Sequence, residues 1–116
     1  MRAMPAASRL RGLAVAVVWL CAGVAGPSFA ADPALAEGRQ LFIDGVGPQP
    51  KCALCHTLKD AGATGQIGPN LDELRPDMAR VAAVIRSGMG PMPAYVALTD
   101  AQVAALAHYV STVAKP

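Results

Sequence analysis

The chain has 116 residues, room for one small domain and not for a multidomain enzyme. Apolar residues make up 53% and charged residues 16%, which excludes an intrinsically disordered chain. The formal charge of +2 falls unevenly: Arg2, Arg9 and Arg11 precede an uncharged stretch from Gly12 to Gly26, and Pro27-Ser28-Phe29-Ala30 follows.

A basic head, an apolar middle and a small-residue exit form the pattern of a secretory signal, with cleavage expected after Ala30. The competing reading is an uncleaved anchor, but fifteen uncharged residues fall short of the roughly 17–25 that span a bilayer. Cys21 follows Trp19-Leu20 rather than a small residue, which argues against a lipoprotein, and no twin-arginine pair occurs, so the general secretory route to the periplasm is expected. The division is therefore residues 1–30, a removed signal, and residues 31–116, one domain without a membrane span. That domain has seven basic and eight acidic residues, a net charge of −1. The overall basicity belongs to the head and gives no support for nucleic-acid binding. Three aromatics, Phe42, Tyr95 and Tyr109, are few for 86 residues. So small a core usually needs a disulfide, a metal or a cofactor.

In chain order, Asp32-Pro33 reads as an N-cap followed by proline at the first helical position. Leu35, Gly38, Leu41 and Phe42 recur at helical spacing, and Asp44-Gly45 ends this helix. A loop from Gly45 to Lys51 follows, rich in glycine and proline. A short helical turn is expected over residues 52–57. A second long helix runs from about Asp77 to Ser87, entered at Pro76 and stopped by Gly88. Its apolar face is Met78, Val81, Ala82 and Ile85. A third starts at Thr99, where Gln102 completes a capping-box pattern, and buries Val103, Leu106, Ala107 and Val110. No alternating run is long enough for a strand, so the expected class is all-α: three main helices plus short turns.

Cys52-Ala53-Leu54-Cys55-His56 carries the chemistry. C-x-x-C-H is the attachment signature of c-type haem. On a helical turn both sulfurs share a face, where they reach two vinyl groups of one porphyrin, and His56 follows to meet the iron. A thioredoxin-like pair would need a strand-rich context. A zinc site could draw on Cys52, Cys55, His56 and His108, but adjacent ligands on one turn strain a tetrahedron. A plain disulfide would leave His56 without a role.

The sixth iron position separates an electron carrier from a gas binder or catalyst. Met78 reads as core. Met89 and Met92 lie together in the loop after the second long helix. Met92 is the better candidate because Pro91 and Pro93 restrict its backbone. Met89, between two glycines, reads as packing or exposed, and His108 as a surface or boundary residue. An iron-bound histidine usually donates its other ring N–H to a fixed acceptor. In Gly68-Pro69-Asn70-Leu71 the Pro69 carbonyl is one candidate, and an ordinary turn is the other reading.

Together these residues resemble the class I cytochromes c, single-haem electron carriers, over nearly all of residues 31–116. The resemblance implies one covalent haem c on Cys52 and Cys55, His56 and Met92 as iron ligands, Pro69 as the histidine's acceptor and Leu71 packed on the haem. It also implies a crossing of the terminal helices through Gly38, Phe42, Leu106 and Tyr109. Residues 52–74 are further similar to small bacterial cytochromes that accept electrons from sulfite dehydrogenases. That implies a dehydrogenase donor, an acceptor such as a terminal oxidase, and a monomer or transient complex rather than an enzyme. Alternatives are a haem subunit of a larger oxidoreductase, or a peroxidase or gas-binding protein if Met92 does not ligate. Two features depart from the simplest members: the Gly45–Lys51 loop is longer than they need, and the charge is near neutral.

Overall fold

The computed structural model describes residues 22–27 and 30–116. Most of the basic head and apolar stretch, with Cys21, lies outside the described residues. No described helix is long and apolar enough to cross a membrane.

Three helices carry the fold: α1 (Pro33–Asp44), α4 (Met78–Ser87) and α5 (Asp100–Val113). Between the first two lie α2 (Cys52–Cys55), a two-stranded hairpin of β1 (Thr57–Leu58) and β2 (Ala63–Thr64), and α3 (Leu71–Leu74). Each long helix begins where a side chain satisfies its free N–H groups. Asp32 accepts from Ala34 N–H at 2.9 Å, Asp77 from Arg80 N–H at 2.8 Å, and Thr99 and Gln102 bond each other's backbone reciprocally. Gly45 and Gly88 close α1 and α4 at φ 68° and 69°, backbone angles that side chains resist.

The core is the crossing of α1 and α5. Gly38 is buried there, and a Cβ on it would strike the Ala105 carbonyl oxygen and the Tyr109 Cβ. This close approach lets the Phe42 and Tyr109 rings meet edge to face, 6.1 Å between centroids. The Tyr109 hydroxyl donates to Asp60 at 2.5 Å, tying the crossing to the turn at Lys59–Ala61. Helix α4 packs on the other side of α5 through Ile85 and Val81. Asp72 on α3 is the single buried charged side chain among the described residues. Its carboxylate accepts the Lys59 N–H at 2.8 Å and the Lys115 N–H at 3.3 Å, joining the Lys59–Ala61 turn to the C-terminal tail.

The expected all-α class is correct, with three departures. The 57–58/63–64 hairpin is a small piece of β-structure where no strand is expected from the sequence. The short helical turn ends at Cys55; His56 caps it in extended conformation, φ −114° and ψ 140°. Met78 is not core but 46% exposed. It is the first helical residue, and side chains there lean toward the N-terminus, past the packed part of the helix.

Candidate functional site

Between α2, α3, α4 and the 88–98 loop lies a largely apolar cavity of about 350 Å³. Cys52, Cys55 and His56 line one part of its wall, Pro69 and Leu71 another, and Met89 and Met92 a third. All six site residues expected from the sequence therefore face one space.

The attachment turn is short because its ends are held from outside. The His56 N–H still reaches the Cys52 carbonyl at 3.0 Å, so the turn closes although His56 leaves the helix. Residues 65–68 wrap around it. Gly68 N–H donates to the Cys55 carbonyl at 2.7 Å, and Thr57 Oγ1 donates to the Gly65 carbonyl at 2.9 Å. Gly65 lies so close that a Cβ there would sit 2.6 Å from the Leu54 carbonyl oxygen. Cys52 and Cys55 are free thiols. Burial pushes the Cys52 thiol up to about 11. It is therefore a protonated thiol at neutral pH, unlike the thiolate a redox dithiol uses.

His56 Nδ1 lies 2.8 Å from the Pro69 carbonyl oxygen. A carbonyl only accepts, so Nδ1 carries the proton and Nε2 keeps its lone pair for a metal. Pro69 thus serves as the fixed acceptor rather than as part of an ordinary turn. Leu71 is buried in the wall, 8% exposed. Gly68 backs the imidazole: a Cβ there would lie 2.5 Å from Cε1 and 2.8 Å from Nδ1. Glycine at 68 is thus a site residue that spacing alone did not reveal.

The methionine loop is a tight hairpin. Met89 and Met92 exchange both backbone hydrogen bonds, each 3.0 Å. Gly90 at φ 54° followed by Pro91, whose ring holds φ near about −65°, is the pattern of a type II′ turn. Residues directly opposite in such a pair project to the same side, so both methionines line the cavity. Burial distinguishes them. Met92 is half-buried and packs on the core, while Met89 is 62% exposed at the mouth.

His108 stands apart from this space. Its Nε2 lies 2.9 Å from the Asp32 carboxylate, linking α5 to the start of α1. The four residues a zinc site would draw on, Cys52, Cys55, His56 and His108, are therefore not brought together: the first three line the cavity and His108 does not. The apolar walls, two free thiols and one imidazole with its outer nitrogen fixed suit a covalently held haem and its iron.

Comparison with known proteins agrees. The family described as "Cytochrome C oxidase, cbb3-type, subunit III" matches residues 33–110. A solved structure, the c-type cytochrome SorU from Sinorhizobium meliloti, is 56% identical. That match covers 71% of this chain and 92% of the other, with a TM-score of 0.66. No curated protein matches significantly. The chain belongs to this family of c-type cytochromes, electron-transfer proteins that carry covalently bound haem c.

Proposed function

We propose that residues 31–116 form a periplasmic electron carrier, exported by the signal in residues 1–30. It would take one electron from a dehydrogenase, of the sulfite-oxidising class by the resemblance of residues 52–74, and pass it to an acceptor such as a terminal oxidase. Cys52 and Cys55 would attach the haem, and His56 and Met92 would ligate its iron. The observation that carries this reading is the placement of Met92 on the cavity wall, half-buried and held by a closed turn, in the same space as His56 with Nδ1 fixed.

When bound, haem c supplies reversible one-electron iron chemistry. The chain's contribution is geometric and dielectric. His56 keeps its orientation through Pro69, so its donor atom does not rotate between oxidation states. Met92 offers a soft thioether, and with the apolar walls it favours the ferrous state and raises the potential. Leu71, Val81 and Ile85 keep water from the interior of the cavity. Electrons would leave at the mouth, where Ile67 and Met89 are exposed and uncharged and Arg80 is, among the described residues, the one charged side chain lining the cavity.

A direct test compares two variants of the holoprotein. Met92→Ala should lower the potential and let the reduced protein take up carbon monoxide; Met89→Ala should change neither. The reverse pattern would assign ligation to Met89. Ready carbon monoxide uptake by the unaltered reduced protein, with a high-spin ferric spectrum, would favour the peroxidase or gas-binding reading instead. The family description names an oxidase subunit, which supports a second reading as a bound subunit. Co-elution with a membrane oxidase on gel filtration would support that over a free carrier.

A further inference from the structure

The Gly45–Lys51 loop connects α1 to the attachment turn, and the electron-transfer reading gives its side chains no role. In the fold this loop runs beside the methionine loop, and the two exchange donors. Gln49 Nε2 donates to the Ala94 carbonyl at 2.8 Å, and the Tyr95 hydroxyl donates to the Pro50 carbonyl at 2.8 Å. Each loop supplies one side-chain donor and one backbone acceptor, across 45 residues of sequence. The acceptors flank the site: Pro50 lies two residues before Cys52, and Ala94 two residues after Met92.

Beyond these two, few hydrogen bonds among the described residues tie the methionine loop, 89–95, to other elements. Its far end is tied to α4 by the Tyr95 N–H bonding the Ile85 carbonyl at 2.8 Å. The Met89–Met92 bonds are internal to the turn and do not anchor it. Gln49 Oε1 is buried without a hydrogen-bond partner among the described residues, so the bond to Ala94 alone sets the orientation of that amide. A buried acceptor left unpaired carries a cost, offset here by the bond its own amide nitrogen makes.

We infer that the 45–51 loop is a clasp, and that Gln49 and Tyr95 are positioning residues that hold Met92 at the iron. The inference rests on the reading of Met92 as the distal ligand. The clasp joins the segment that carries the two cysteines to the segment that carries Met92. Neither residue touches the iron. Both act by limiting how far the backbone at 92–95 can swing when a competitor approaches.

The test is competition by imidazole for the iron of the ferric holoprotein. Tyr95→Phe keeps the ring in the cavity wall and removes only the hydroxyl; Gln49→Leu keeps the bulk and removes the amide. Each should strengthen imidazole binding about two- to tenfold, the weight of one hydrogen bond. The double variant should gain less than the product of the two, because opening one half of the clasp releases the other. Tyr109→Phe is the comparison. It removes a phenol bond of similar kind, to Asp60, at the α1–α5 crossing, and should lower the melting temperature without changing imidazole affinity. If Tyr95→Phe and Gln49→Leu behave like Tyr109→Phe, the clasp is refuted while methionine ligation stands. If the unaltered ferric protein shows no thioether-to-iron absorption band, ligation by Met92 fails and the clasp falls with it.

Discussion

The tightest contact in the site is between a glycine and the imidazole, and Gly68→Ala tests what it does. Gly68 has no positive φ, so alanine meets no backbone strain and the effect is purely steric. The added Cβ would lie 2.5 Å from His56 Cε1, against the roughly 3.4 Å or more of ordinary contact, so about 0.9 Å must be found. The backbone gives little, because Gly68 N–H is held by Cys55 and Gly65 is pressed against Leu54. The ring therefore turns, and the Nδ1–Pro69 bond lengthens beyond useful range. That bond makes the imidazole a stronger donor and favours ferric iron. The bond is worth about 0.5–1.5 kcal/mol, and only the part that differs between ferric and ferrous iron moves the potential, so its loss should raise a one-electron potential by at most about 20–65 mV. Redox titration of the purified holoprotein measures the shift, and proton spectra of the ferric form report the ring's orientation. A potential and His56 ring resonances unchanged from the parent would refute the argument that Gly68 sets the imidazole.

Gly38→Ala should destabilise the fold although alanine is the better helix former. The propensity gain of about 1 kcal/mol is outweighed by overpacking against Ala105 and Tyr109, for a net loss of about 1–2 kcal/mol. Thermal unfolding should show a fall of about 5–15 °C for a domain of this size; an equal or higher melting temperature would mean the crossing can open. The hydrogen bond from His108, followed by that from Ala34 N–H, holds the Asp32 carboxyl below its ordinary value of 3.8. Its stabilisation is present above that value and lost as pH falls through the lower folded-state value. Asp32→Asn should flatten this part of the acid limb of an unfolding titration, and an unaltered limb would show the pair contributes nothing. Docking at a mouth whose one charged lining residue among those described is Arg80 should make transfer rates fall less than about tenfold from low to high salt, since screening acts on charged rims. Stopped-flow mixing with a redox partner measures this, and a steeper fall would place charged residues at the contact.

The long helices were legible because their signals are local. Asp32-Pro33 and the Thr99/Gln102 pair satisfy N–H groups two or three residues away, so spacing alone locates those starts; Pro76 marks the entrance of α4, where Asp77 proves to be the cap rather than the first helical residue. Cys52, Cys55 and His56 were legible for the same reason. What spacing missed depends on contacts between distant segments or on elements too short for a period. Helix α3 has four residues and the hairpin strands two each, less than any periodicity can register. Met78 fits the apolar repeat of α4, but the repeat does not say where the neighbouring core ends. Gly68 behind the imidazole, and Gln49 and Tyr95 across the two loops, acquire their roles only when the chain folds back on itself.

The first long helix has its principal partner in the last one, and the carboxylate of Asp72 waits for the amide of Lys115. A nascent polypeptide therefore lacks the counterpart for its opening segment until the closing fourteen-residue helix has been made. Pairing of the two ends is thus a late event, and the segments between them cannot be enclosed before it.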